Sequence, residues 1–238
     1  MDVAPVDQRE PRRRSGKRTQ LPDQVKAYVR ELITSGQVRP GEFLRIERIA
    51  EALGTSQSPV REGLLSLANE GLLNFLPRRG FVVAPITAED INDLYWAQAQ
   101  VAGELAARAA AKITDEQLDV LAANVKQYAQ AVKSGDWEAI PEIGLEFHNE
   151  LHRAAQAHKL VMLFDHITSN LPNRYYSAGN PKHTGTEHPA LLKALRNRDA
   201  ETARQLMFDH ILGQGHRLVE ILAERGLWAD SAQLEEEV

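Results

Sequence analysis

The stretch "IAEALGTSQSPVREGLLSLANEGLL", residues 49–73, reads as two short helices joined by a glycine turn. The residues from Ile46 to Leu53 predict the first helix, which Gly54 ends. "TSQSP", residues 55–59, opens the second, with Ser56 or Ser58 as its cap and Pro59 tolerated in the first turn. That helix runs to Glu70, and Gly71 stops it. Its faces are divided. Val60, Leu64 and Leu67 point inward, whereas Gln57 and Arg61, at i and i+4, share an outward face. Hydrogen-bonding side chains displayed at a helix N-terminus are what reading the major groove of DNA requires.

Upstream, Val25, Tyr28, Val29 and Leu32 recur at helical spacing between Leu21 and Ser35, and Gly36 ends that run. "VRPGE", residues 38–42, is a turn broken by Pro40-Gly41. Downstream, "LLNFL" and "GFVVA" are β-prone runs either side of "PRRG", which predicts a two-stranded hairpin, or wing. Three helices and a wing make a winged helix-turn-helix over residues 20–85. Thr55, Gln57, Ser58 and Arg61 are its candidate base-reading group, Ser56 is a further candidate DNA contact, and Arg45, Arg78, Arg79 and Gly80 are its candidate phosphate and wing contacts.

Charge supports the division. Residues 1–85 carry 14 Lys/Arg against 10 Asp/Glu, while the remainder carries 14 against 23. A basic module suited to a polyanion is thus joined to an acidic module with another task. Residues 1–19, with Arg12, Arg13, Arg14, Lys17 and Arg18, read as a disordered basic arm or plain solvated tail, and residues 229–238 as an acidic tail. The paired arginines of "PRRRSGKRTQLPDQ" are followed by polar residues, not by the apolar stretch of an export signal. No apolar run approaches the roughly 20 residues that cross a bilayer. With no cysteine, disulfides and thiolate chemistry are excluded, a cytoplasmic setting fits, and any metal must use His, Asp or Glu.

"SGQVRPGEFL", the 49–73 stretch and "PRRGFVV", in this order and spacing, resemble the DNA-binding domain of GntR-family transcription regulators over about residues 21–83. Two positions depart from that pattern: the family often has Arg where Gln57 stands and Ala where Gly63 stands.

After the linker "APITA", residues 84–88, the chain reads as helical throughout. Thr87 with Asp90, and "TDEQ" at 114–117, open helices as capping boxes. The first helix runs to about Ala111, and later ones fit residues 136–157, 160–177, 187–197 and 200–225. An all-α bundle over 86–228 carrying "EFHNELHRAAQAHKL" and "EHPALLKALRNRDAETARQLMFDHI" resembles the FadR-type effector domain known as FCD. The resemblance implies a homodimer that binds a palindromic operator and responds to a small metabolite, often a carboxylic acid.

It also bears on the histidines. "IGLEFHNELH", residues 143–152, puts His148 and His152 one turn apart, on a face shared with Leu145 and Ala155. Many family members hold a divalent metal with an Asp, a His one turn later and two His on later helices. The matching phrases place His148, His188 and His210 at those histidines and Gly144 where the Asp would be. Three imidazoles can hold Zn²⁺, or Ni²⁺ or Mn²⁺, without the carboxylate, or can serve as hydrogen-bonding groups in a polar pocket. Glu146 faces away, and no other carboxylate is placed beside His148. His152, His158, His166, His183 and His216 read as solvated or partly buried. Gln98, Asn170, Arg174 and Tyr175 are candidate effector contacts, though the family often has Arg at the position of Gln98. The expectation is a ligand-responsive regulator, most simply a repressor, and not an enzyme. A metal-dependent hydrolase and a DNA architectural protein with a vestigial pocket are the alternatives.

Overall fold

The computed structural model describes residues 20–171 and 187–224. Its N-terminal part runs α1 (Leu21–Thr34), β1 (Phe43–Leu44), α2 (Ile46–Leu53), α3 (Gln57–Asn69), β2 (Leu73–Leu76) and β3 (Gly80–Val83). Pro22 and Asp23 in the first turn of α1 suit a helix start, where a missing N–H costs nothing and negative charge meets the positive end of the dipole. Gly54, at φ 61°, ends α2 in the left-handed conformation that glycine adopts without strain. Ser56 is the N-cap of α3, in extended conformation but with no hydrogen bond from its side chain. Val25 and Val29 of α1 meet Ile49, Val60, Leu64, Leu67 and Phe81 in a core of their own.

The wing is a three-stranded antiparallel sheet in the order β1-β3-β2, rather than the expected two-stranded hairpin. β1 arises because β3 has a second edge: Val83 N donates to Glu42 O and Gly41 N to Val83 O, so the turn after α1 is zipped onto it.

The C-terminal part is all helical: α4 (Ala88–Lys112), α5 (Asp115–Ser134), α6 (Ile140–Ala155), α7 (His158–Ser169), α8 (His188–Arg196) and α9 (Ala200–Glu224). The capping boxes at Thr87/Asp90 and Thr114/Gln117 are both present. Two helix expectations are corrected. α6 starts at Ile140, after a turn at 136–139, and α7 begins at His158 and stops at Ser169 instead of continuing to 177. Gln156, at φ 51°, breaks the chain between them, and Asn170 closes α7 with its Nδ2 donating to His166 O at 3.1 Å.

α4 and α9 are packed along their length as antiparallel neighbours, and α4 also touches α6, α7 and α8. Small residues set that closeness. A Cβ at Gly215 would lie 2.6 Å from Tyr95, and one at Gly103 would lie 3.0 Å from Arg204 O. In the N-terminal module Gly63 plays the same part, since a Cβ there would meet Val25 at 2.7 Å and Pro22 O at 2.9 Å. The departure from Ala at this position thus allows α1 to lie closer on α3. Overpacking of this kind typically costs about 1 to 3 kcal/mol. Gly63→Ala and Gly215→Ala are each expected to lower stability by that amount in denaturant titrations, despite the better helix propensity of Ala; an unchanged midpoint would mean that the helices separate without loss.

Candidate functional site

Two groups of functional side chains are set by these elements. On the N-terminal module, Gln57, Ser58 and Arg61 are exposed on the first turns of α3, Ser56 is exposed at its cap, and Thr55 is half-buried just before it. Arg45, the exposed N-cap of α2, lies outside the helix it precedes. Arg78 and Arg79 are exposed in the turn between β2 and β3, which closes through left-handed Arg78 at φ 68° and Gly80 at φ 101°. The sequence reading missed Phe43. Its exposed ring on β1 lies 5.0 Å below the Arg79 guanidinium, a cation–π contact that steadies the wing arginine. Once β1 is unrecognised, no sequence signal pairs the two.

In the bundle, His148 from α6, His188 from the first turn of α8 and His210 from mid-α9 converge, with one nitrogen from each ring all within 4.8 Å of one another. Ring centroids lie 5.7 Å (148 to 188), 5.4 Å (148 to 210) and 5.2 Å (188 to 210) apart. His188 stacks flat on Phe147 at 4.1 Å, and Tyr128 meets its edge at 5.7 Å. Glu187 Oε2 accepts a hydrogen bond from His210 Nδ1 at 2.8 Å, and Gln214 Nε2 donates to His210 Nε2 at 2.8 Å. The expectation that no carboxylate stands beside His148 does not extend to His210, which Glu187, one residue before His188, contacts. Gln214 follows His210 by one turn, a spacing that could have revealed it.

The face of α6 is also corrected. Leu145 is 60% exposed, and the inward residues are Ile140, Ile143, Phe147 and Leu151. Glu146 is exposed, as expected. His152, expected to be solvated or partly buried, is buried edge-on against Phe164 at 4.8 Å, whereas His158, His166 and His216 are exposed. His183 lies outside the described residues. Of the effector candidates, Gln98 is buried with Nε2 donating to Thr168 Oγ1 at 2.6 Å. Asn170 lines a cavity at the junction of the two modules. Arg174 and Tyr175 lie outside the described residues.

The electrostatics favour neutral rings. Burial pushes His188 down to about 3, with the neighbouring His210 adding to the effect and Glu187 opposing it. His148 keeps a little accessible surface, yet its ring is enclosed by protein, and burial followed by the other imidazoles holds it well below the usual histidine range. Burial also lowers His152, against the pull of Asp165. The hydrogen bond to His210 is the first cause that lowers Glu187. Neutral imidazoles present lone pairs. Both ring nitrogens of His188 are buried without a hydrogen-bond partner among the described residues, a cost of roughly 1 to 3 kcal/mol for a group left in this state. The donor set therefore fits a divalent metal or a ligand carrying hydrogen-bond donors and acceptors.

A module that exposes a polar helix end beside a basic wing, tied to a bundle with an interior polar site, defines a transcription regulator with separate DNA-contacting and sensing halves. Residues 21–83 match the bacterial regulatory proteins of the gntR family, and residues 93–213 match the FCD domain. The chain belongs to the gntR family, in its FCD-bearing, FadR-like branch, and it is a regulator and not an enzyme. The HTH-type transcriptional regulator YdhC of Bacillus subtilis (strain 168) is 25% identical over 205 residues, covering 82% of this chain and 90% of its own length. The HTH-type transcriptional repressor RspR of Escherichia coli (strain K12) is 24% identical, covering 86% and 92%. The solved structure of E. coli McbR/YncC has TM-score 0.65 at 24% identity, over 85% of this chain and 98% of that one, which is a likeness of fold.

In the metal-free protein the contacts of His210 require the Nδ1–H tautomer. Long-range proton–nitrogen correlation spectra should show it, and Glu187→Ala should give a mixed tautomer population. A predominantly Nε2–H ring in the parent protein would contradict this assignment.

Proposed function

We propose that the protein is a homodimeric, ligand-responsive repressor that binds a palindromic operator and leaves it when a small carboxylic acid and a divalent metal occupy the histidine site. The observation that carries this reading is the convergence of His148, His188 and His210 with His188 unpartnered, inside a regulator of this family. A repressor named among its relatives supports the direction of control. A bound Zn²⁺, Ni²⁺ or Mn²⁺ would supply Lewis-acid positions for the carboxylate of the effector. His148, His188 and His210 would hold the metal, and Glu187 would orient the His210 ring through Nδ1, as carboxylates do behind metal-bound imidazoles. Gln214 would release Nε2 of that ring. The effector then acts by favouring one arrangement of the winged modules over another, which its differential affinity alone can do.

Gly144 gives the test. A Cβ built there meets nothing within 4 Å, so an Asp one turn before His148 is sterically allowed. After chelation, Gly144→Asp should take up metal about tenfold more tightly than the parent, and His148→Ala should take up none. A parent protein that binds none of the three ions and still answers its effector would identify the histidines as hydrogen-bonding groups of a polar pocket.

On the DNA side, Gln57, Ser58, Arg61 and Thr55 would read bases from the N-terminus of α3, while Ser56 at the cap, Arg45, Arg78, Arg79 and Gly80 would fix the module on the backbone and in the wing contact. Arg61→Ala should cost about 1 to 3 kcal/mol on the operator and much less on random DNA. A glutamine amide pairs with both N6 and N7 of adenine, so site selection should return a two-fold-symmetric sequence that shifts from adenine toward guanine in Gln57→Arg. Identical sequence preferences would remove Gln57 from base reading, and an asymmetric single half-site would argue against the dimer. An architectural role without sequence preference would appear as equal, steeply salt-dependent binding to any duplex.

A further inference from the structure

A cavity of about 410 Å³ lies away from the histidines, at the junction of the two modules. Its volume is within the range of small-molecule sites, roughly 300 to 1,000 Å³. The apolar part of its wall comes from both sides: Ile33 and Val38 from α1 and its turn, Leu72 before β2, and Ile86, Leu94 and Leu222 from the linker, α4 and α9. Its polar part consists of Thr34, Glu70, Asp90, Asp93 and Asn170, and among the described residues no Lys, Arg or His lines it.

These polar groups are not equivalent. Glu70 is already paired with Arg30, and Asp90 Oδ2 already accepts from Thr87 N and Oγ1 at 2.8 and 2.7 Å. Asp93 stands exposed at the cavity with no salt bridge among the described residues. Asn170 Oδ1 is buried and accepts no hydrogen bond among the described residues, while its Nδ2 is engaged with His166 O. The space therefore offers an apolar body-sized wall and, in Asp93, an exposed carboxylate. A guest must bring N–H donors and positive charge. An anion is disfavoured, because it would add like charge beside Asp93 and Asp90 with no cation among the described lining residues to meet it.

We propose that this junction cavity is a second ligand site, separate from the histidine cluster, and that it takes an amphipathic organic cation: a protonated primary amine on an apolar body. The ammonium sits against Asp93, and the hydrocarbon lies between Leu72, Ile86 and Leu94. The site stands independently of the metal and effector reading above.

Calorimetric titration of the full-length protein with 4-phenylbutylamine, and with the neutral 4-phenylbutanol of the same shape, tests it. The amine should bind with one-to-one stoichiometry and at least tenfold more tightly than the alcohol. Asp93→Asn should weaken the amine at least fivefold, and Asp93→Lys should abolish its binding; both changes are at an exposed position and leave the core untouched. His148→Ala should bind the amine as the parent does, which separates this site from the histidines. Equal affinity for amine and alcohol, no binding of either, or undiminished amine binding in Asp93→Lys would each overturn the proposal.

Discussion

The approach of α9 to α4 is the constraint on which the sensing half depends. Helices separated by ordinary side chains sit about 8 to 10 Å apart, and any Cβ at Gly215 would strike Tyr95 at once. With glycine at 103 and 215, and alanines at 99, 102, 106, 109 and 110 buried along α4, the two helices share one close seam. His210 lies on α9 between the two glycine contacts. Its position is thereby fixed against α4, and α6 and α8, which also pack on α4, bring His148 and His188 to the same point. The ion pair between Arg204 and Glu104 crosses the same seam, but both side chains are substantially exposed and such pairs contribute at most about 1 kcal/mol. Packing, not charge, holds the helices in place.

Much of this was legible because the sequence states it locally. The helix-turn-helix is written in periodic apolar residues and in glycines at 54 and 71 whose φ values are positive, and the capping boxes are read directly from Thr87 and Thr114. What escaped reading depends on distant partners. β1 is two residues long, too short to carry an alternation, and exists only because β3 offers it an edge. The break at Gln156 occurs in a residue with no strong turn preference. The three histidines came from matching phrases. Gln214, one turn after His210, was within reach of helical spacing, whereas only the three-dimensional convergence of α6, α8 and α9 shows what Glu187 and Phe147 touch. Leu145 misled because a helix face was assigned from two histidines, when Phe147 and Leu151 define the buried side.

The histidine cluster and the junction cavity have opposite chemistry. Around the histidines, burial disfavours the charged forms of His148 and His188, and the ring nitrogens of His188 have no hydrogen-bond partner among the described residues, with one carboxylate held at the rear of His210. At the junction, the lining consists of acceptors and carboxylates over an apolar wall. Asp90 and Asp93 thus place two carboxylates of α4 at that cavity.

The connection between the modules is short. Between Val83 of β3 and Ala88 of α4 only four residues intervene, and a stretch of that length reaches at most about 14 Å. Ala84 N is tied to Leu72 O and Thr87 is locked in its capping box, which leaves Pro85, with its fixed φ, and Ile86 as the pivot. In the proposed dimer, a winged module tethered so closely remains near its half-site once its twin has bound. The second contact is then governed by effective concentration, which can raise avidity by roughly 10² to 10⁴ without a new interaction. The same arithmetic makes the tether unforgiving. A pivot that cannot stretch allows both half-sites to be held only at one separation, so a small reorientation of α4 is enough to forfeit the whole gain, with neither module unfolded.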